Sequence, residues 1–290
     1  MIRYVPREAD DTVNVSPRSP LREAAVLLGG ITGTVLALYV AAGVLVDVVA
    51  QRMSPSFERA IGGSIAAGLA PQRLSDARAA QVQAVLDGLS AVAPETGLSY
   101  TVHLVSAAAV NAVALPGGHI VVYAPLLECV TSENALAFVL AHELGHFVHR
   151  DHLRGAGRAL VALALSAVLT GADSAATRAL ARPIAAAEMR FSQAQEARAD
   201  LFALELLVRR YGHAGGASEF LARVAAAEKS PRPAHLFATH PFPADRVRRL
   251  KDETLRRGYG ERPVTPLPWD ATVIRRRCAD DREIPCVQIG

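Results

Sequence analysis

The stretch Ala135-Leu136-Ala137-Phe138-Val139-Leu140-Ala141-His142-Glu143-Leu144-Gly145-His146-Phe147-Val148-His149 decides how this chain is read. Residues four apart on a helix sit one above the other, so the imidazoles of His142 and His146 point the same way and can grip one metal ion. Glu143 projects beside them, where it can take a proton from water that a zinc ion makes acidic. A five-residue HExxH pattern also arises by chance on surface helices. Here the residues before His142 are almost wholly apolar, which places the helix in a core, and buried imidazoles need partners.

A catalytic zinc keeps three protein ligands and leaves one position for water. His152 has the spacing of a third histidine in the metzincin pattern, but that pattern needs glycine at position 149 to turn the chain, and His149 stands there. Without the turn the helix is expected to run on and carry His152 away from the metal. The other source is Gln195-Glu196-Ala197-Arg198-Ala199-Asp200-Leu201-Phe202-Ala203, a strong helix former in which Glu196 and Asp200 share a face. Glu196 would bind zinc, and Asp200 would accept the outer N–H of a ligand histidine and so hold its tautomer. Two carboxylates at this spacing repel mildly on a bare helix, whereas a zinc ion and an imidazole N–H give each a use.

His142-Glu143-Leu144-Gly145-His146 followed by Glu196-Ala197-Arg198-Ala199-Asp200 resembles the HtpX and CAAX prenyl endopeptidase family of membrane zinc metallopeptidases, with its Oma-type and BepA-type relatives. Asn111-Ala112-Val113-Ala114-Leu115-Pro116-Gly117-Gly118-His119-Ile120 resembles that family's NAxxxPGGxI strand pair, and Thr239-His240-Pro241 with Arg246 resembles its THPxxxxR segment. The resemblance implies a gluzincin-type endopeptidase holding one Zn2+ per chain through His142, His146 and Glu196, with Glu143 as the base. It gives His240 the role of a reversible fourth ligand or an oxyanion-stabilising group, and Arg246 that of a brace for a nearby carboxylate. Asn111, Ala112, Val113 and Ala114 become an edge strand that pairs with an extended substrate. Protein quality control on unfolded or membrane and envelope proteins is then expected, in preference to prenyl-peptide processing. The rival is a non-catalytic, chaperone-like or scaffolding membrane protein whose zinc is closed by a fourth protein ligand, for which His240 is the evident donor.

Among 290 residues, 51% hydrophobic and only 5% aromatic content fit an alanine-rich chain that is mainly α with a small β-sheet (α+β). A net charge of +3 is too small a surplus to argue for nucleic acid. Five segments are expected: a flexible N-terminus over 1–22, a transmembrane anchor over 23–50, a linker with a short helix over 51–71, the zinc metallopeptidase domain over 72–257 and a C-terminal tail over 258–290. Ala24 to Val46 carries no charge and is long enough to cross a bilayer core, which takes about 20 residues. Residues 24–46 are therefore expected to meet lipid. Gly29, Gly33, Ala37 and Ala41 repeat small residues every four positions, which leaves a homo-oligomer through this face open. Arg3, Arg7, Arg18 and Arg22 precede the segment, against Arg52 and Arg59 soon after it. The positive-inside tendency then puts the N-terminus in the cytoplasm and the catalytic domain outside, in the periplasm or its equivalent, as a single-pass protein. Cys278 and Cys286 bracket a short loop that a disulfide could close in an oxidising compartment, and Cys129 reads as a packed core thiol.

Apolar periodicity predicts helices over 72–92, 185–211 and 244–257, with Ser132 capping the site helix and Gly212 ending the second of these. Strands are expected over 98–105, 110–115 and 119–123, with Pro116-Gly117-Gly118 as a turn. Ala159 to Ala172 is too short for a comfortable crossing and reads as a buried or membrane-resting helix. His103, His119, His149, His152, His213 and His235 show no partner pattern and read as surface or structural.

Overall fold

The computed structural model describes residues 19–107, 109–179, 190–227, 240 and 243–269. In chain order the elements are α1 (Pro20–Arg52), α2 (Pro55–Gly68), a single 3-10 turn, α3 (Arg78–Ser90), β1 (Thr101–Val105), β2 (Ala112–Leu115), β3 (His119–Tyr123), α4 (Ala124–Cys129), α5 (Glu133–Val148), α6 (Asp151–Thr170), α7 (Gln193–Tyr211), α8 (Glu219–Ala227) and α9 (Pro243–Arg256). The fold is mainly α with a small sheet, as composition and patterning predict.

α5 is the centre of the packing. Ser132 caps it, its hydroxyl accepting from Ala135 N at 3.1 Å, and every residue from Asn134 to Phe147 is buried. A helix apolar on all sides must be enclosed, and α3, β2, α7 and α8 lie around this one. Val82, Leu86 and Leu89 of α3, Ile120 and Val122 of β3, Leu204 and Leu207 of α7, and Phe220 of α8 join it in one hydrophobic core.

The sheet has the order β1-β3-β2, with β1 parallel and β2 antiparallel to β3. Among the described residues β2 is thus an edge strand. The opposite edge, β1, is covered by the chain at Leu74, whose N–H donates to Leu104 O. The turn between β2 and β3 uses Gly117 and Gly118 at φ 86° and 87°, a left-handed backbone that side chains disfavour. α2 lies directly on this turn: a Cβ on Gly62 would fall 2.0 Å from Pro116 O.

Several boundaries differ from the sequence reading. The 72–92 helix begins only at Arg78, because the chain first forms the 3-10 turn and a bridge from Arg73 to Val105. Residues 51–71 are mostly the helix α2, with Glu58, Gly62 and Ala66 buried against the domain. Glu58 accepts from Gly117 N (3.2 Å) and pairs with His152 Nε2 (3.0 Å), so polar groups on three segments satisfy one another. The site helix does not run on past His149. It stops there, Arg150 takes a left-handed conformation (φ 58°), and α6 starts at Asp151. His152 nevertheless stays off the metal cluster, held by Glu58 and by the carbonyl of His146 (3.2 Å). Cys129 is buried but is disulfide-bonded, not a free thiol; Cys278, Cys286 and His235 lie outside the described residues. Residues 258–269 form neither helix nor strand and pack on the domain, Thr265 O accepting from Glu133 N and Leu267 and Trp269 touching the core.

Two consequences are measurable. A side chain at position 62 has no room, so Gly62→Leu should lower stability by about 1–3 kcal/mol in denaturant titration. Burial raises the Glu58 pKa, but the His152 hydrogen bond and charge outweigh it and hold it below 4.5. A depressed carboxylate stabilises the fold above its unfolded pKa and loses that contribution as pH falls. The wild-type unfolding midpoint should therefore fall more steeply below pH 4.5 than that of Glu58→Gln.

Candidate metal centre

The site is assembled where α5 crosses α7. Gly145 makes the crossing close: a Cβ there would lie 3.0 Å from Ala199 Cα, so the glycine lets the α7 backbone approach. α7 starts in a capping box, Ser192 Oγ accepting from Gln195 N and Gln195 Oε1 accepting from Ser192 N. That box sets the first turn, and Glu196 projects from it with no exposed surface.

His142 and His146 each turn one ring nitrogen outward to a carboxylate. His142 Nδ1 lies 2.9 Å from Asp200 Oδ1, and His146 Nδ1 lies 3.2 Å from Asp151 Oδ2. Those partners set the tautomer, leaving lone pairs on both Nε2 atoms. The two Nε2 atoms face each other at 3.1 Å, close enough for both to bind one ion once they are deprotonated. Glu196 Oε2 is 3.4 Å from His142 Nε2, and Glu196 Oε1 is 3.6 Å from His146 Nε2. His240 Nδ1 completes the group, 3.2 Å from His142 Nε2 and 2.9 Å from Glu196 Oε1. Four atoms held about 2.0–2.2 Å from one ion in a tetrahedron stand about 3.3–3.6 Å apart. One ligand atom from each of the four residues lies within 4.8 Å of the others, close enough for the group to hold a metal ion.

The electrostatics favour a cation. Burial and Arg246 pull the His142 imidazole down, yet Glu196 and Asp200 outweigh them and raise it to about 9. Burial pushes Glu196 and Asp200 up, but surrounding positive groups hold both below the usual carboxylate range, His240 and Arg246 for the first, chiefly Arg246 for the second. Arg246 is 2% exposed and spans the two, with Nη1 2.5 Å from Glu196 Oε2 and Nη2 2.6 Å from Asp200 Oδ1. Glu143 stands beside the cluster, accepting from Ala114 N at 3.0 Å and lying 3.5 Å from His240 Nε2.

A scan against family models matches residues 76–254 to peptidase family M48. The chain belongs to that family. Among curated proteins, the M48 chain is 31% identical over 153 residues to the metalloprotease LoiP of Escherichia coli, which covers 49% of this chain and 58% of LoiP. It is 30% identical over 178 residues to the mitochondrial metalloendopeptidase OMA1 of Schizosaccharomyces pombe, covering 59% of this chain and 51% of OMA1. Similarity to the beta-barrel assembly-enhancing protease of Escherichia coli is 31% over 154 residues, covering 48% and 31%. The chain thus spans less than two-thirds of the length of each of these relatives. M48 metallopeptidases depend on a metal, in keeping with the four-donor cluster.

The structure brings together His142, Glu143, His146, Glu196, Asp200, His240 and Arg246. Of the expected edge strand, Ala114 directs its N–H out of the sheet at Glu143, and Ala112 N bonds to Asn111 Oδ1, while Val113 pairs within the sheet with Val121. Sequence reasoning missed two residues of the M48 site. Asp151, fully buried, also accepts from Gln195 Nε2 (3.0 Å) and so ties the His146 side of the site to the start of α7. Its only sequence signal is its place five residues after His146. Phe191 stacks on the His146 ring, centroids 3.8 Å apart and planes 14° from parallel. An aromatic beside a capping serine announces no such role.

Removing a carboxylate behind a ligand histidine costs about 10- to 100-fold in metal affinity. Asp151→Ala should show that loss in competition with a chelating dye, at unchanged helical circular dichroism, and Asp151→Asn should lose less. Unchanged affinity in Asp151→Ala would mean that packing against Phe191 alone orients His146.

Proposed function

We propose that this chain is a membrane-anchored zinc endopeptidase that hydrolyses peptide bonds in protein quality control. The observation that carries the proposal is the meeting of His142 Nε2, His146 Nε2 and a Glu196 carboxylate oxygen at one buried point, with Glu143 beside it. Two imidazoles and a carboxylate are the ligand set of catalytic zinc. Zinc held there supplies Lewis acidity, which acidifies water and polarises a peptide carbonyl. Glu143 takes the proton from the attacking water and delivers it to the leaving amine. Asp200, braced by Arg246, keeps His142 in the ligating tautomer.

The substrate is proposed to lie as an extended strand along β2, the strand at the end of the sheet order, whose Ala114 N–H points out of the sheet to Glu143. Its arrival would replace the bond from Ala114 N to Glu143, freeing the base at the moment it is needed. Unfolded and membrane or envelope proteins are the proposed substrates, since an edge strand reads main chain and tolerates many side chains. The names of the curated relatives, a metalloprotease, a metalloendopeptidase and an assembly-enhancing protease, support the hydrolytic reading.

The proposed domain runs over 72–257, behind an anchor in 23–50 that reaches the bilayer through residues 24–46. α1 is long and apolar enough to cross a membrane, and its apolar side chains are largely exposed. The charge bias around it, together with the disulfide at Cys129, supports a catalytic domain outside the cytoplasm, where disulfides persist.

One observation favours a second reading. His240 lies among the metal donors, so it would close the site as a fourth protein ligand, as in a structural zinc. We infer that this is a resting arrangement which substrate opens.

The full chain in detergent should bind one zinc and digest casein, and a chelator should abolish digestion until zinc is restored. Glu143→Gln should retain zinc and lose at least about 100-fold in rate. Full activity in that variant removes Glu143 as the base. A wild-type chain that binds zinc but cleaves nothing, with activity appearing only in His240→Ala, would favour the permanently closed site.

A further inference from the structure

α6 packs antiparallel along α1. Val46 sits against Gly157, where a Cβ would come within 2.6 Å of Val46 Cγ1, and further along Ile31 and Tyr39 share an apolar groove with Ala162 and Leu169. The charged ends of the two helices are level. Asp47 faces Arg154 and Arg158 at 3.7 and 3.8 Å, and Arg150 donates to the carbonyls of Ala50 and Met53, closing the end of α1. Beyond that level neither helix carries a charge, from Val46 back to Ala24 on α1 and from Ala159 to Thr170 on α6.

Among the described residues nothing covers the outer face of α6. Leu160, Ala164 and Val168, one turn apart, form an exposed stripe, with Leu160 68% and Val168 82% accessible. Two parallel-lying helices occupy the same layer, so whatever surrounds the apolar length of α1 surrounds that of α6. Resting on the reading of α1 as an anchor, we propose that α6 enters the bilayer beside it without crossing, its outer stripe meeting lipid.

Lengths and polar groups agree. The uncharged part of α6 is about 18 Å long at 1.5 Å per residue, against a hydrocarbon core of about 30 Å. It passes the midplane without crossing, and the chain must return because Glu196 belongs to the same site as His142. Several polar groups at the tip pair with one another, as groups in lipid must. Thr170 Oγ1 donates to Ser166 O, Thr177 Oγ1 donates to Gly171 O, and Arg178 donates to Asp173 O. Charge at depth is expensive and is tolerated where it is paired, as Arg178 is with the carbonyl of Asp173. Asp151, the first residue of α6, lies against His146, so the charged base of α6 would hold the candidate metal centre close to the membrane surface.

The test is tryptophan fluorescence of the full chain in phosphatidylcholine vesicles, with Trp269→Phe as background. Val168→Trp and Leu160→Trp report on α6, Leu38→Trp on α1, and casein digestion checks that each variant is folded. Loss of emission to brominated lipid at all three positions, with none to aqueous iodide, is expected. Quenching of Leu38→Trp by lipid and of both α6 positions by iodide would overturn the proposal and leave the anchor standing. Shielding of the α6 positions from both quenchers would also overturn it, pointing to a protein partner on that face. Quenching of Leu38→Trp by iodide would sink the anchor reading, and the proposal with it.

Discussion

Everything near the active centre answers to one electrostatic constraint. Glu143, Asp151, Glu196 and Asp200 are all at most 4% exposed, and Arg246 is the fully enclosed cation among them. Carboxylates cannot be left buried without compensation. Arg246 offsets part of the charge by bridging Glu196 and Asp200, and the imidazoles of His142 and His146 donate to Asp200 and Asp151. What remains is a set of donor atoms facing one point, able to hold a metal ion. The groups that would destabilise a bare core are those that make it a metal centre.

That constraint explains the packing around it. α7 must lie close enough to α5 for Glu196 to reach both histidines, and Gly145 permits this by presenting no side chain to Ala199. The capping box at Ser192 starts α7 where the first turn meets the cluster, and Gln195 ties that turn to Asp151. Arg246 arrives from α9, more than forty residues further on, and its bidentate grip on Asp200 holds α9 against α7. The edge strand β2 is joined to the same centre through the bond from Ala114 N to Glu143. β2, Glu143 and the four-donor cluster thus form one connected polar unit.

The left-handed Arg150 shows how a local feature serves two distant ones. A non-glycine residue in this conformation carries some strain. In return the chain reverses between α5 and α6, Asp151 comes to His146, and the Arg150 side chain caps the end of α1. The metal site and the apolar helix pair are therefore coupled through two adjacent residues. The sequence reading expected an uninterrupted helix here because the glycine of the metzincin turn is missing. An arginine made the turn instead, since the carbonyls of Ala50 and Met53 give its guanidinium partners that no local pattern reveals.

Legible in the chain alone were the helix that carries His142 and His146, its cap at Ser132, the paired carboxylates of α7 and the strand pair around Pro116-Gly117-Gly118, because each rests on short-range periodicity or on turn chemistry within a few residues. The sequence also singled out His240 and Arg246, through a resemblance to known motifs and not from spacing. Only the tertiary structure decided that Asp151 and Phe191 hold His146, that Glu58 locks α2 to the β2–β3 turn and to His152, that Cys129 is disulfide-bonded, and that α6 lies along α1. These depend on contacts between segments far apart in the chain, where burial makes each polar group seek whichever partner the packing brings within reach, and no periodicity records that choice.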